Sequence, residues 1–274
     1  MLPTLRETVN FYGLMANKAL GQNFLLDSNI TDKIIRQSLS RQNIHDFKNF
    51  NIIEIGPGPG GLTRSILGAE PQSLTVVEMD PRCIKIMEDL RAETDTPMSI
   101  INGDAMLFNP TENIASPRQI ISNLPYNVSV PLLLNWLTQI KDLSALTLMF
   151  QKEVAERITA PTHSKDYGRV SIIAQLTCSI QKLFDLNPEC FTPAPKIWSS
   201  VLLFQPLENA ISAANIAKIE KITALAFGQR RKMLRQSLKS INNISDKLEQ
   251  IGIAPTARAE EVSPQKFLEL SKLV

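Results

Sequence analysis

Cysteine is scarce in this chain of 274 residues and histidine scarcer: there are three cysteines and two histidines. Cys83, Cys178 and Cys190 form no CxxC pair, which excludes a zinc knuckle, and their odd number argues against a disulfide framework. No bound metal is expected, and a reducing compartment is. The most apolar stretches, SVPLLLNWL and ALTLMF, fall far short of the ~18 residues that a membrane helix requires. The opening MLPTLRETVN lacks the apolar core of a signal peptide. A soluble, cytoplasmic protein without a membrane partner is the expectation. Aromatics make up only 6% of the chain, so each aromatic inside a motif asks for a reason.

A strong net charge is also lacking: 29 Lys and Arg stand against 27 Asp and Glu, for +2 overall. The balance is uneven, however. Residues 1–200 carry 18 basic and 20 acidic side chains, and residues 201–274 carry 11 and 7. A basic tail on a neutral body fits a solvated helix face or a polyanionic partner, and charge alone leaves both open.

What is present is alternation. FNIIEI (50–55), LTVVE (74–78), MSII (98–101), QIISN (119–123) and ALTLMF (145–150) are short runs rich in Ile and Val, separated by the helical patterns GLTRSILG, PRCIKIMEDLRAE and VPLLLNWLTQI. That order predicts βαβ units and a parallel sheet covered on both faces, an α/β fold. SIQKLFDLN and IWSSVLLFQ predict two further strands suited to antiparallel pairing at the sheet edge, and RVSIIAQLTCSI fits helix or strand. A helix is expected over 27–42, capped by Asp27 or Ser28, and a short one within 2–16. From about 208 the pattern is helical throughout, which divides the chain into residues 1–207 and a helical domain over 208–274.

The strongest single signal is EIGPGPGGLT (54–63), directly after one strand and opening a helix. Gly56, Gly58 and Gly61 fit G-x-G-x-x-G, a turn whose backbone approaches a ligand closely. By itself it serves an NAD enzyme, a nucleoside cofactor, or a tight turn with no ligand at all. Glu78 ends the next strand, 17 residues after Gly61, where a carboxylate can accept both hydroxyls of a ribose. Asp80 lies beyond that strand and reads as a helix cap before Pro81. Asp104, after the third strand, can accept from the exocyclic amine of an adenine.

The fourth strand ends in Asn123-Leu124-Pro125-Tyr126. A hydride-transfer enzyme has no evident use for that turn, but methylation of an amino nitrogen does. An aryl amine is a poor nucleophile because its lone pair is delocalised into the ring. The Asn123 amide oxygen and the Leu124 carbonyl can each accept one N–H and favour the pyramidal nitrogen of the transition state. Pro125 fixes the backbone and removes a donor, and Tyr126 offers a ring on which a base can stack. The plainer reading is a strand-terminating turn with a packed tyrosine.

With these residues in view, the chain resembles the bacterial ribosomal RNA adenine dimethyltransferases, the KsgA/RsmA group, whose relatives include the Erm resistance methylases. LGQNFL (20–25), EIGPGPGGLT, VVEMD (76–80), GDAM (103–106), NLPYN (123–127) and FTPAPK (191–196) stand in the family's order, nearly end to end. The resemblance implies a Rossmann-like class I methyltransferase sheet of seven mostly parallel strands, a small C-terminal all-α domain, and S-adenosylmethionine as methyl donor. It places Gln22, Asn23 and Leu25 in a loop closing over the donor, with Gly56 and Gly58 at the methionine portion. Glu78 then holds the ribose, Asp104 the adenine amine, and Asn123 stands beside the methyl group. Tyr126 and Phe191 sandwich the target adenine, so that Asn123, Leu124, Pro125, Tyr126 and Phe191 form the catalytic set. The implied substrate is two adjacent adenosines near the 3′ end of 16S rRNA in the maturing small ribosomal subunit, methylated twice each at N6 by a monomer.

The tail segments AFGQRRKMLRQSLKSI (226–241) and IGIAPTARAEEVSPQKFLEL (251–270) look like the KsgA/RsmA branch rather than the Erm branch. Arg231, Arg235 and Lys239 fall at i, i+4 and i+8 of an expected helix face, flanked by Arg230 and Lys232, and suit contact with RNA phosphates. Two positions depart from the family's usual pattern: Pro59 replaces a Leu, and Trp198 stands where a small or acidic residue is commoner. An Erm-like 23S rRNA enzyme and a binding module without turnover remain as other readings.

Overall fold

The computed structural model describes residues 4–14 and 23–274. It divides into two compact units. The first comprises Met1–Leu133, Lys141–Lys152 and Gln181–Gln205; the second comprises Leu134–Ile140, Glu153–Ile180 and Pro206–Val274. Among the described residues no helix is long and apolar enough to cross a membrane.

In chain order the first unit opens with α1 (Leu5–Phe11), β1 (Phe24–Leu25) and α2 (Ser28–Gln42). Asp27 caps α2 by accepting from the Asn29 N–H, as its place ahead of the apolar periodicity predicts. Strands and helices then alternate: β2 (Asn51–Ile55), α3 (Gly61–Leu67), β3 (Ser73–Glu78), α4 (Pro81–Ala92), β4 (Met98–Asn102), β5 (Arg118–Asn123), α5 (Ser129–Leu137) and β6 (Ala145–Gln151). Asp80 caps α4 with Pro81 at its first turn. After α6 (Lys152–Thr159), the ambiguous stretch resolves into both candidates, α7 (Arg169–Thr177) running straight into β7 (Cys178–Leu186). Thr177 closes the helix by turning its hydroxyl back on the Ile173 and Ala174 carbonyls, and Cys178 is already extended.

With β8 (Phe191–Thr192) and β9 (Ser199–Pro206) the sheet is complete: seven strands in the order β4-β3-β2-β5-β6-β9-β7. Strands β4, β3, β2, β5 and β6 pair in parallel, while β9 runs antiparallel to β6. All five residues of the central β2 are buried, which is why NIIEI reads as a nearly continuous apolar run. The carboxyl ends of β2, β3, β4 and β5 consequently lie along one edge of the sheet. A second, two-stranded sheet joins β1 to β8, with Phe24 opposite Thr192 and Leu25 opposite Phe191. The end of one sequence motif, Phe24–Leu25, and the start of another, Phe191–Thr192, thus meet as one ribbon.

The second unit holds α7, α8 (Ala213–Gly228), α9 (Leu234–Ser237), α10 (Ile244–Gln250) and α11 (Pro264–Leu273), with α7, α8 and α11 packed on one another. Fully buried Tyr167 anchors it, donating to the Val262 carbonyl at 2.8 Å and meeting Phe227 edge-on. The unit therefore takes in 153–180 as well as the tail, and is larger than the 208–274 read from helical texture. The continuous helix expected through 226–241 is not formed. Helix α8 stops at Gly228, and Met233 is extended and bridges to Arg258 before the short α9 begins. Arg231, Arg235 and Lys239 therefore do not share one helix face.

Candidate active site

The glycine turn between β2 and α3 bends through the left-handed region, with φ of +65° at Gly56 and +55° at Gly58, where a side chain would be strained. Gly61 is required for a different reason. A Cβ there would stand 2.5 Å from the Leu25 carbonyl oxygen, so the β1–β8 ribbon can close over the turn only on glycine. Opposite, Pro125 lies against the turn, 3.8 Å from where a Gly56 Cβ would be. Between these elements runs a cleft lined by Asn23, Phe24, Leu25, Glu54, the glycine turn, Glu78, Met79 and Asn123–Tyr126.

Glu78 is buried at the end of β3 and accepts three backbone N–H groups, from Gly58 at 3.3 Å, Met79 at 2.8 Å and Asp80 at 2.9 Å. Burial raises its carboxyl above the ordinary carboxylate range, and those three donors oppose the rise. It is thereby held as a fixed acceptor beside the glycine turn. The side-chain amide of Asn123 donates to the Asn23 carbonyl at 3.2 Å, which leaves Oδ1 as the acceptor end of that amide. The Tyr126 hydroxyl pairs with the Ser199 hydroxyl at 2.7 Å, fixing the ring at the cleft wall.

Nine expected residues, Asn23, Leu25, Gly56, Gly58, Glu78, Asn123, Leu124, Pro125 and Tyr126, line this one cleft. Gln22 lies outside the described residues. Asp104 is exposed at the same sheet edge, its Oδ1 taken by the Met106 N–H at 2.8 Å, and is not part of the cleft wall. Phe191 is 3% exposed, packed opposite Leu25 in the core. It does not line the cleft, so the second face of the expected sandwich is not open in this structure. In the tail, Arg230 is engaged internally, with Glu260 at 2.8 Å and the Ser164 carbonyl at 3.1 Å. Lys232, Arg235 and Lys239 instead converge from separate segments on a shallow concavity with Gln229, Gln236 and Ser245; Arg231 is exposed outside it.

Two residues of the site lie inside the quoted motifs but were given no role there. Glu54 is 1% exposed, its Oε2 has no hydrogen-bond partner, and it lines the cleft. Burial pushes its carboxyl up to about 8. The only signal was a lone acid in an otherwise apolar strand. A buried orphan oxygen is costly unless a donor or cation reaches it, and an α-ammonium group entering the cleft would satisfy it. Met79, 55% exposed beside Glu78, offers an apolar thioether at the cleft mouth.

Residues 13–274 match the family described as ribosomal RNA adenine dimethylase. The chain belongs to that family. A relative from Rhodospirillum rubrum, the ribosomal RNA small subunit methyltransferase A, is 42% identical over 273 residues, covering 100% of this chain and 93% of the relative. Among solved structures, a dimethyladenosine transferase from Plasmodium falciparum superposes with a TM-score of 0.75 at 23% identity, over 89% of this chain and 94% of that one. The 23S rRNA methyltransferase ErmE gives 0.67 at 20% identity, over 91% and 98%. At those identities the likeness is one of fold, and it spans both an adenosine dimethylase and an Erm enzyme. The chain therefore shares with those two methyltransferases the fold described above.

Proposed function

We propose that the chain transfers methyl groups from S-adenosylmethionine to N6 of two adjacent adenosines near the 3′ end of 16S rRNA, in the maturing small ribosomal subunit. The observation that carries this is the NLPY turn standing in the same cleft as the glycine turn, Glu78 and the unpartnered Oε2 of Glu54. The small-subunit assignment over 23S rRNA rests on the likeness to the 42%-identical ribosomal RNA small subunit methyltransferase A.

The residues present fit the donor. Glu54 meets its ammonium group, Gly56 and Gly58 bring backbone against the methionine portion, and Glu78 takes the ribose hydroxyls. Met79 flanks the adenine and Asp104 accepts its amine. When bound, the donor supplies an electrophilic methyl on a sulfonium. Asn123 Oδ1 and the Leu124 carbonyl accept the two N–H bonds of the target amine and draw its nitrogen out of conjugation. Pro125 holds those two acceptors in register, and Tyr126 stacks the base. The amine nitrogen forms the new N–C bond as the methyl–sulfur bond breaks and its electron pair stays on sulfur as a neutral thioether; the nitrogen, now cationic, only then loses its proton to water, so no general base is required. Phe191 acts from behind, holding Leu25 at the cleft. The target amine must be unpaired, which makes loop nucleotides the natural substrate. Lys232, Arg235 and Lys239 contact RNA phosphates, and the enzyme works as a monomer.

Incubation of tritiated donor with unmethylated 30S particles and, in parallel, with unmethylated 23S rRNA tests the reading. Incorporation into 16S 3′ fragments, seen by mass as dimethyladenosine, is expected. Label found only in 23S rRNA would move the enzyme to the Erm branch, and no label in either would leave a binding module.

A further inference from the structure

We propose that Trp198 is a stacking platform for a nucleotide next to the target adenine, a positioning role that rests on the rRNA-methylation reading above. The chain has two tryptophans with opposite surroundings. Trp136 is fully buried, whereas Trp198 is 48% exposed beside Ile197, itself 40% exposed. The two side by side leave an apolar spot, with part of an aromatic ring, open to water at the entry to β9.

The ring is not loose. The Lys152 N–H donates to the Trp198 carbonyl at 2.8 Å, and the Lys152 ammonium stands 5.8 Å from the indole centroid, within cation–π range. Asp185 steadies that ammonium at 3.4 Å and is itself fixed by the Ser200 hydroxyl at 2.7 Å and Lys182 at 3.2 Å. A chain of contacts from β7 and β9 thus props the indole in place, so little freedom is lost when a base settles on it.

Its position ties it to the chemistry. The next residue, Ser199, is fully buried and holds the Tyr126 hydroxyl. Consecutive Cα atoms are ~3.8 Å apart, so the platform begins one residue from the anchor of the ring that takes the target base. Lys152, Lys182 and exposed Lys196 give its surroundings a positive balance over Asp185, suited to a strand's phosphates. Stacking tolerates any base, so Trp198 would position the strand rather than read it.

The contrast between the tryptophans supplies the test. Titration of the wild type with a short single-stranded oligoribonucleotide containing two adjacent adenosines should quench the emission of the exposed indole and spare that of Trp136. Trp198→Phe should abolish the quench while keeping KM for 30S particles near wild type. Trp198→Ala should raise that KM about tenfold, with kcat within about twofold, and with donor affinity and melting temperature held. Wild-type KM in Trp198→Ala, equal impairment in Trp198→Phe, or no quenching by RNA would overturn the platform. An enzyme whose Trp198 is quenched by RNA but which transfers no methyl would overturn the functional reading and leave the platform standing.

Discussion

The amide of Asn123 donates to the main-chain carbonyl of Asn23, 3.2 Å away and 100 residues earlier in the chain. The bond joins the NLPY turn to the segment entering β1 and leaves Oδ1 as the acceptor end of that amide. Asn123→Ala should slow methyl transfer on the order of 10²-fold, the scale for losing one polar group aimed at a transition state. Donor affinity should fall only a few-fold. Single-turnover rates with equilibrium binding of S-adenosylhomocysteine separate the two, and equal losses in both would remove Asn123 from the chemistry.

Glu54 gives the protein a pH signature. Its carboxyl titrates near 8 when folded, because burial and then the nearby Glu78 charge disfavour ionisation, against a value of 4.5 outside the fold. The stability that goes with the neutral form is complete below about 4.5 and is lost as pH rises through about 8. Denaturation of the donor-free protein across that window should show declining stability, and Glu54→Gln should flatten the decline. A bound ammonium reverses the preference, so donor binding should release protons at neutral pH. Calorimetry in buffers of different ionisation enthalpy reads that release, and Glu54→Gln should show none.

Gly61→Ala puts a methyl group 2.5 Å from the Leu25 carbonyl oxygen, a backbone atom that cannot turn aside. The substitution should cost about 1–3 kcal/mol in chemical denaturation and should weaken donor binding, because the ribbon over the cleft must lift. A variant with full stability and full affinity would show that the ribbon is not closed over the turn in solution.

The basic tail divides into two kinds of residue. Replacing Lys232, Arg235 and Lys239 together by Ala should reduce the log–log salt slope of 30S binding by about 2, near the value for three phosphate contacts with single-stranded RNA. Arg230→Ala should lower the melting temperature and leave that slope unchanged, since Arg230 is spent on Glu260 and Ser164.

The sheet and most of the cleft lining were legible because their signals are local. A glycine turn, an acid and NLPY each follow directly on an Ile/Val-rich run, and parallel strands bring such ends together whatever the rest of the chain does. The stretch 226–241 misled because helical periodicity persists through it. Its break is imposed at a distance, by the pairing of Met233 with Arg258. Glu54 was hidden for a related reason: whether a strand carboxyl is partnered depends on packing from α3, which no spacing rule encodes. Phe191 is recognisable as a motif residue, yet its burial against Leu25 depends on two motifs more than 160 residues apart in the chain forming one ribbon.

The packing of α7 between α8 and α11 decides where this protein can be cut. A truncation after residue 207, the place where the sequence texture changes, would remove both helices and uncover Val170, Ile173 and the ring of Tyr167, all now shielded from water. The shortened product should clump rather than behave as a free-standing catalytic core. The tail is scaffolding for the middle of the chain, and its loss would be felt first as insolubility.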